Sequence, residues 1–183
     1  MPRLIFSCFL IMLLIAPALA QRGSRNNVKP TPEMAKLSRA LSGDWNNEEV
    51  LEPSERFPNG AQRRGTSHCG MRTGGTSLVC EGTSDGSAGK LDHLIVIWWD
   101  SDAKSYGFFV CFKDWGAGCF IRGSAHWDGD VFVNDYTDDV KGKTVKMRDS
   151  WVDISPNSHT LIAAIETADG KMKTEITTYS TRR

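Results

Sequence analysis

Residues 91–127 read LDHLIVIWWDSDAKSYGFFVCFKDWGAGCFIRGSAHW. The segment holds three runs that are rich in Ile, Val, Phe and Trp, the residue types that favour β-strands. Turn residues separate the runs at 100–103 and at Trp115–Gly116. Because short turns between successive strands require antiparallel neighbours, the segment predicts three strands of an antiparallel sheet.

The same pattern of strand and turn extends in both directions from this segment. The predicted strands are 45–52, 62–71, 77–83, 91–99, 105–113, 117–127, 131–137, 143–153, 159–167 and 171–179. About ten short strands at this spacing fit an up-and-down barrel or a sandwich. We expect the barrel, because a meander closes simply and closure removes exposed sheet edges. The fold class predicted is therefore all-β, an antiparallel barrel of the lipocalin or calycin type.

One short helix is predicted before the first strand. Thr31 is suited to be its N-cap, and Pro32 occupies the first helical position. Met34, Leu37 and Leu41 then follow at helical spacing. Strand and helix patterns together place a single barrel domain over residues 32–183.

The first twenty residues have the pattern of a signal peptide. Arg3 precedes an apolar run, Pro17 follows that run, and Ala18 and Ala20 form the small-residue cleavage site. We expect cleavage after Ala20 and a secreted or periplasmic protein, with 21–31 as a flexible linker. An uncleaved membrane anchor is the alternative.

Composition excludes several classes of function. The 183 residues carry 22 basic and 22 acidic side chains, with no basic stripe among the aromatic residues, which argues against nucleic-acid binding. No second long apolar segment is present, so we expect no membrane span after cleavage. The sequence contains no nucleophile elbow and no phosphate-binding loop, and it implies no cofactor.

Four cysteines remain after the predicted cleavage, which is typical of disulfides in an exported chain. Cys69 and Cys80 flank the turn at 74–75 symmetrically, and Cys111 and Cys119 flank the turn at 115–116. Opposed positions in a hairpin have the Cα separation that a disulfide tolerates. We therefore expect the pairs Cys69–Cys80 and Cys111–Cys119. The spacing does not match a metal site.

The alternation in 119–127 suggests which side chains face the barrel interior. We expect Cys119, Ile121, Ala125 and Trp127 to point inward, together with Phe109 on the preceding strand. Tyr106, Phe108, Val110 and Phe112 would then point outward. That outer apolar face would need to be covered by the 32–42 helix or by a second subunit, as in a homodimer.

The segment from Leu41 to Tyr179 resembles a bacterial exported family of unknown function with a lipocalin-like barrel. The matching features are Leu41–Trp45, Cys69, 74–75, 78–82, Trp99–Asp100, 104–106, Gly123, 127–130, Arg148 and 155–158. The Gly43-Asp44-Trp45 sequence resembles the G-x-W of lipocalins. The Cys111–Cys119 pair and the glycine-rich 82–89 loop depart from the family. The resemblance implies a fold, and lipocalins imply small apolar ligands by analogy only.

Two residues are candidates for closing one barrel end. Trp45 is expected in the core at the barrel floor. Arg148 would stack on that ring, as a basic residue does in lipocalins, or it would lie exposed. The alternation of Val145, Met147 and Trp151 with Arg148 favours the exposed position.

The leading functional hypothesis is a non-enzymatic barrel that binds a small apolar or amphipathic ligand. The residues expected to line its cavity are Trp99, Phe109, Ile121, Trp127, Met147 and Trp151. A metal or haem is not expected, although His93 has the best phase for facing the interior. A protein-interaction module of the cell envelope, using the surface around Tyr106 and Phe108, is the second hypothesis. An enzyme that uses the inward carboxylate of Asp149 is the third.

Overall fold

A computed structural model describes residues 29–113, 118–140 and 142–183, except for the side chains of Ile121 and Arg122. The predicted signal peptide, most of the predicted linker and the turn at 115–116 lie outside these ranges. Within them, no helix is long and apolar enough to cross a membrane.

The described chain forms one α-helix followed by ten strands. The helix α1 is Pro32–Leu41, and the strands are β1 (Gly43–Leu51), β2 (Ala61–Arg72), β3 (Ser77–Gly86), β4 (Leu91–Asp100), β5 (Ser105–Phe112), β6 (Cys119–Asp128), β7 (Val131–Val140), β8 (Lys143–Val152), β9 (Ser158–Glu166) and β10 (Met172–Arg182). The N-cap prediction is confirmed, since the side chain of Thr31 accepts a hydrogen bond from the backbone N–H of Met34 at 3.2 Å.

Every strand pairs antiparallel with its neighbours in sequence, and β1 pairs with β10 to close the sheet. The prediction of an all-β up-and-down barrel is therefore confirmed. Because the sheet is closed, none of the ten described strands has an unpaired edge. Open antiparallel sheets, in contrast, must protect two exposed edges.

The helix seals one end of the barrel. Its residues Met34, Leu37, Ala40 and Leu41 are buried in the same core cluster as the inward-facing residues of the strands. The Tyr106 hydroxyl also donates a hydrogen bond to the backbone carbonyl of Glu33 on the helix, at 2.9 Å. The expectation that the helix covers an outer face of the sheet is therefore wrong.

The predicted orientation of β5 is also wrong. Tyr106, Phe108 and Val110 are at most 2% exposed and belong to the interior, and Phe109 is half-buried on the opposite face. The interaction surface expected around Tyr106 and Phe108 is therefore not on the outside of the barrel.

A bulge explains why the alternation in β6 misled the prediction for β5. Between the pairs Gly107–Ser124 and Phe109–Ile121, two steps along β5 face three along β6. Such an extra residue reverses which side chains point inward. The backbone turns at Gly123, whose φ of +70° suits glycine, and a Cβ there would collide with the backbone oxygen of Asp135.

Both disulfide pairings are confirmed, Cys69–Cys80 and Cys111–Cys119. Cys69 and Cys80 are 8% and 7% exposed and lie inside the barrel, whereas Cys119 is exposed on the outside. The expectation that Cys119 faces the interior is wrong because of the same bulge. Two disulfides indicate an oxidising, extracytoplasmic environment.

Candidate functional site

The barrel encloses a cavity of about 160 Å³ next to the helix-sealed end. One buried water needs a cavity volume of only roughly 10–15 Å³. The cavity is therefore large enough for a small organic molecule. Leu41 and Trp45 lie at the helix end of the cavity, and Leu91 and Phe112 extend its wall towards the opposite end. Eight of the ten strands contribute lining residues, all except β6 and β7: Trp45, Asn47, Glu49, Arg63, Ser67, Cys69, Cys80, Leu91, His93, Ile95, Ile97, Phe108, Val110, Phe112, Asp149, Trp151, His159, Leu161, Ala163, Ile176, Thr178 and Ser180.

Most of the wall is apolar and aromatic. The rings of Phe108 and Trp151 contact each other with their centroids 5.8 Å apart. Val110 on the same strand as Phe108, and Ile97 on the adjacent β4, are each 1% exposed. A planar or aliphatic body would bury its surface against this wall, the usual source of affinity in such sites.

One side of the cavity carries a buried ion pair. Glu49 and Arg63 are opposite one another on β1 and β2, and their side chains are 9% and 6% exposed. Nε and Nη2 of Arg63 each lie 2.8 Å from Oε2 of Glu49. Because a buried ion pair adds little net stability compared with apolar residues of similar size, its presence in the wall suggests a role beyond folding.

A hydrogen-bonded group of three side chains adjoins this pair along β1. The amide of Asn47 donates to Oγ of Ser67 at 3.0 Å, and its oxygen accepts from Oγ of Ser180 at 2.9 Å. Asn47 therefore ties the strands on both of its sides to β1 and satisfies both ends of its amide.

Two histidines also line the cavity, and both are held in the neutral form. Burial lowers the pKa of His93. Burial, with a smaller contribution from the positive charge of Arg182, lowers the pKa of His159 to about 4. His159 packs edge-on against Trp45 at 4.5 Å between centroids. Its Nδ1 atom is buried without a hydrogen-bond partner among the described residues.

The floor of the cavity is closed by Trp45 and a basic residue from the last strand. Trp45 is 0% exposed, as predicted for a core residue, and its Nε1 donates to the carbonyl of Leu41 at 3.0 Å. The guanidinium of Arg182 covers the ring at 4.5 Å and donates to the carbonyls of Pro156 and Ser42.

Arg148 does not take part in this closure. It is exposed and forms a bidentate pair with Asp135 at 2.7 and 3.1 Å. The exposed position favoured by the alternation of β8 is therefore confirmed, and Arg182 has the role that the lipocalin resemblance suggested for Arg148.

Only one of the six residues predicted to line the cavity is found there, Trp151. Met147 is buried on the same strand but does not border the cavity. Trp99 packs against Tyr106, and Trp127 packs against Phe132, near the helix. Phe109 faces outward. Ile121 is among the residues whose side chains the structure does not describe. That these residues contact a ligand stays a prediction.

Asp149 was predicted to point inward, and that position is confirmed. It is 5% exposed, lines the cavity, and accepts a hydrogen bond from the Tyr136 hydroxyl at 3.2 Å. A catalytic role for this carboxylate stays a prediction.

The polar side of the cavity was not predicted from the sequence. Asn47 and Glu49 follow Trp45 at two-residue spacing, which already placed them on the inward face of β1. Arg63 had no comparable local signal, because its inward position depends on pairing with β1. No group of three or more His, Cys, Asp or Glu side chains converges to hold a metal ion within the described part of the chain.

The arrangement defines a closed ten-stranded antiparallel barrel with an internal cavity. No family model matches the sequence, and no curated protein matches it. Among solved structures, the chain is similar to the S-type phycobiliprotein lyase CPES of Guillardia theta, at 10% identity over 81% of this chain and 92% of that one, with a TM-score of 0.56.

It is also similar to Rv2717c of M. tuberculosis, at 11% identity over 85% of this chain and 99% of that one, with a TM-score of 0.54. A redesigned barrel, mFAP0, bound to DFHBI, matches with 16% identity over 78% of this chain and 99% of that one, at a TM-score of 0.43. At these identities, the likeness to the two natural proteins shows a shared fold.

Proposed function

We propose that this protein binds a small amphipathic molecule inside the barrel. One observation carries the proposal: a cavity of about 160 Å³ is walled mainly by apolar side chains and has buried polar groups on one side. Sites of this composition bind small molecules through apolar contact and use a few polar groups to orient them. The unpartnered Nδ1 of His159 adds a polar atom that a ligand or water would satisfy.

The ligand would enter from the end opposite the helix. The helix and the Arg182–Trp45 contact close the near end. The wall at the far end is made by residues such as Leu91 and Phe112, which lie at strand termini. Binding would therefore require no opening of the helix-sealed core.

Two neighbouring threonines provide a matched test of binding inside the barrel. Thr178 lines the cavity, and Thr177 precedes it on β10 and faces the opposite side of the sheet. We expect ethylbenzene, measured by isothermal titration calorimetry, to bind the wild type and Thr177→Phe alike, and to lose its binding in Thr178→Phe. Equal binding by all three proteins would place the probe outside the barrel and contradict the proposal.

We also propose that the chain is exported and cleaved after Ala20. The apolar run of residues 4–15 and the two disulfides support export. N-terminal sequencing of the protein recovered from outside the cytoplasm should then begin at Gln21. Recovery of the intact chain from the cytoplasm would refute it.

A further inference from the structure

We infer that the cavity selects a ligand whose polar end is uncharged and both donates and accepts hydrogen bonds, such as a primary amide, and that Glu49 and Arg63 bind that end. The inference rests on the proposed function and specifies the class of ligand. The ligand class follows from the two atoms of the ion pair that have no hydrogen-bond partner among the described residues.

The geometry of the pair leaves one acceptor and one donor for a ligand. Arg63 meets a single oxygen of Glu49, Oε2: Nε donates a hydrogen bond to it, and Nη2 forms an ion-pair contact with it. Oε1 of Glu49 and Nη1 of Arg63 have no hydrogen-bond partner among the described residues, and both side chains line the cavity. An amide complements this arrangement, because its oxygen accepts from Nη1 while its N–H donates to Oε1.

The charges of the wall disfavour a ligand that is itself charged. A carboxylate that approached Arg63 would also meet the carboxylate of Glu49, and Asp149 adds a second acidic side chain to the lining. An ammonium that approached Glu49 would meet the guanidinium of Arg63. At the ion pair, either charged end would lose its hydration to meet a charge that is already paired with its partner.

The histidines of the lining do not alter this balance near neutral pH. Burial lowers the pKa of both His93 and His159, so their rings are neutral there. The remaining polar groups near the pair are also neutral: Thr178 lies opposite Glu49 on β10, and Ser67 and Ser180 are both hydrogen-bonded to Asn47.

The apolar wall determines the chemistry of the other end of the ligand. Phe108, Val110 and Trp151 line the same cavity as the ion pair and offer carbon surface. A phenyl ring or a short hydrocarbon chain would pack there while the polar end reached Glu49 and Arg63. The ligand class is therefore a small apolar body with an amide-like end.

Four probes of nearly equal shape test the choice of polar end: phenylacetamide, phenylacetate, phenethylamine and ethylbenzene. Titration calorimetry at pH 7.5 should show phenylacetamide binding at least about tenfold more tightly than phenylacetate or phenethylamine, because hydrogen bonds to charged groups are worth this much or more. Ethylbenzene has no polar end, so its binding measures the contribution of the apolar cavity alone.

Paired variants separate the ion pair from its surroundings. Glu49→Leu/Arg63→Met retains an apolar wall, so it should still bind ethylbenzene and lose the preference for the amide. The control Glu48→Leu/Arg64→Met changes the exposed pair next to it on the same two strands, where the side chains are 65% and 79% exposed, and should keep the preference. The single variant Glu49→Gln leaves Arg63 charged and should shift selection towards phenylacetate.

The outcomes separate failure of ligand binding inside the barrel from failure of amide selection by Glu49 and Arg63. If no probe binds, ethylbenzene included, both the proposed function and this inference are wrong. If ethylbenzene binds and the amide binds no more tightly than the acid or the amine, the inference alone is wrong. The same holds if the inner double variant, folded by near-ultraviolet circular dichroism, keeps the amide preference.

Discussion

The buried His159 should make the protein less stable as the pH falls below neutrality. Burial lowers its pKa from 6.5 to about 4 in the folded state, so between these values the unfolded chain binds a proton that the folded chain does not. Stability rises with pH wherever the unfolded state binds more protons. The contribution of His159 is therefore complete above pH 6.5 and is lost as the pH falls towards 4.

The size of the effect follows from the displacement of the pKa. At 1.36 kcal/mol per pH unit, the full loss is about 3 kcal/mol, of which about 2.5 kcal/mol falls between pH 7.5 and pH 4.5. Urea denaturation followed by tryptophan fluorescence at these two pH values measures it. His159→Phe keeps an aromatic ring against Trp45 and removes the titration, so it should lose about 2.5 kcal/mol less than the wild type.

Comparison with a variant isolates His159 from the other groups that titrate in this range. Carboxylates and His93 are present in both proteins, and their contributions cancel in the difference. His126→Phe, at an exposed position of β6, should lose as much stability as the wild type on acidification. Parallel losses in His159→Phe and the wild type would refute the reasoning, because they would mean that the buried ring carries no penalty for protonation.

Three further changes test the packing of the barrel. By urea denaturation, Glu49→Gln should lower the free energy of unfolding by about 3–5 kcal/mol because it leaves the charge of Arg63 buried alone, whereas the double change Glu49→Leu/Arg63→Met should stay within about 1 kcal/mol of the wild type. In thermal unfolding, Arg182→Ala should lower the free energy of unfolding by about 1–2 kcal/mol, because it removes the contact with the Trp45 ring and two hydrogen bonds. The exposed Arg148→Ala should lower it by less than about 1 kcal/mol, and equal losses would argue against the closing role of Arg182. Gly123→Ala should cost at least about 1–2 kcal/mol in the same assay, since its positive φ and the neighbouring backbone leave no space for a Cβ, and no loss would contradict the bulge.

Local patterns were sufficient to predict the strands, the helix and the disulfides. Each hairpin brings together residues only a few positions apart, so the turn at its centre determines which residues are opposite. Cys69 and Cys80 are separated by 11 positions, and Cys111 and Cys119 by 8. Their pairing could be derived from the symmetry of the turns alone.

The side of the sheet on which residues lie could not be predicted where both faces are apolar. In β5, Phe108 and Phe109 are equally suited to either face by hydrophobicity. The choice is made by the bulge at Gly123, where Asp135 and Tyr136 of another strand approach so closely that a Cβ would collide with them. Alternation within one strand carries no information about such a contact.

The polar side of the cavity depended on pairing over longer distances. A charged residue in a strand usually faces solvent, so Glu49 and Arg63 did not suggest an interior site. They are brought together by the register of β1 and β2. Arg182 reaches Trp45 only because barrel closure places the last strand next to the first.

A crystal structure of the mature protein with phenylacetamide would test the central claim most directly, that the barrel is a binding site for a small amphipathic molecule. We expect density for one molecule inside the barrel, with the ring against Phe108 and Trp151 and the amide at Glu49 and Arg63. A barrel filled by its own side chains, or a probe found only on the outer surface, would contradict it.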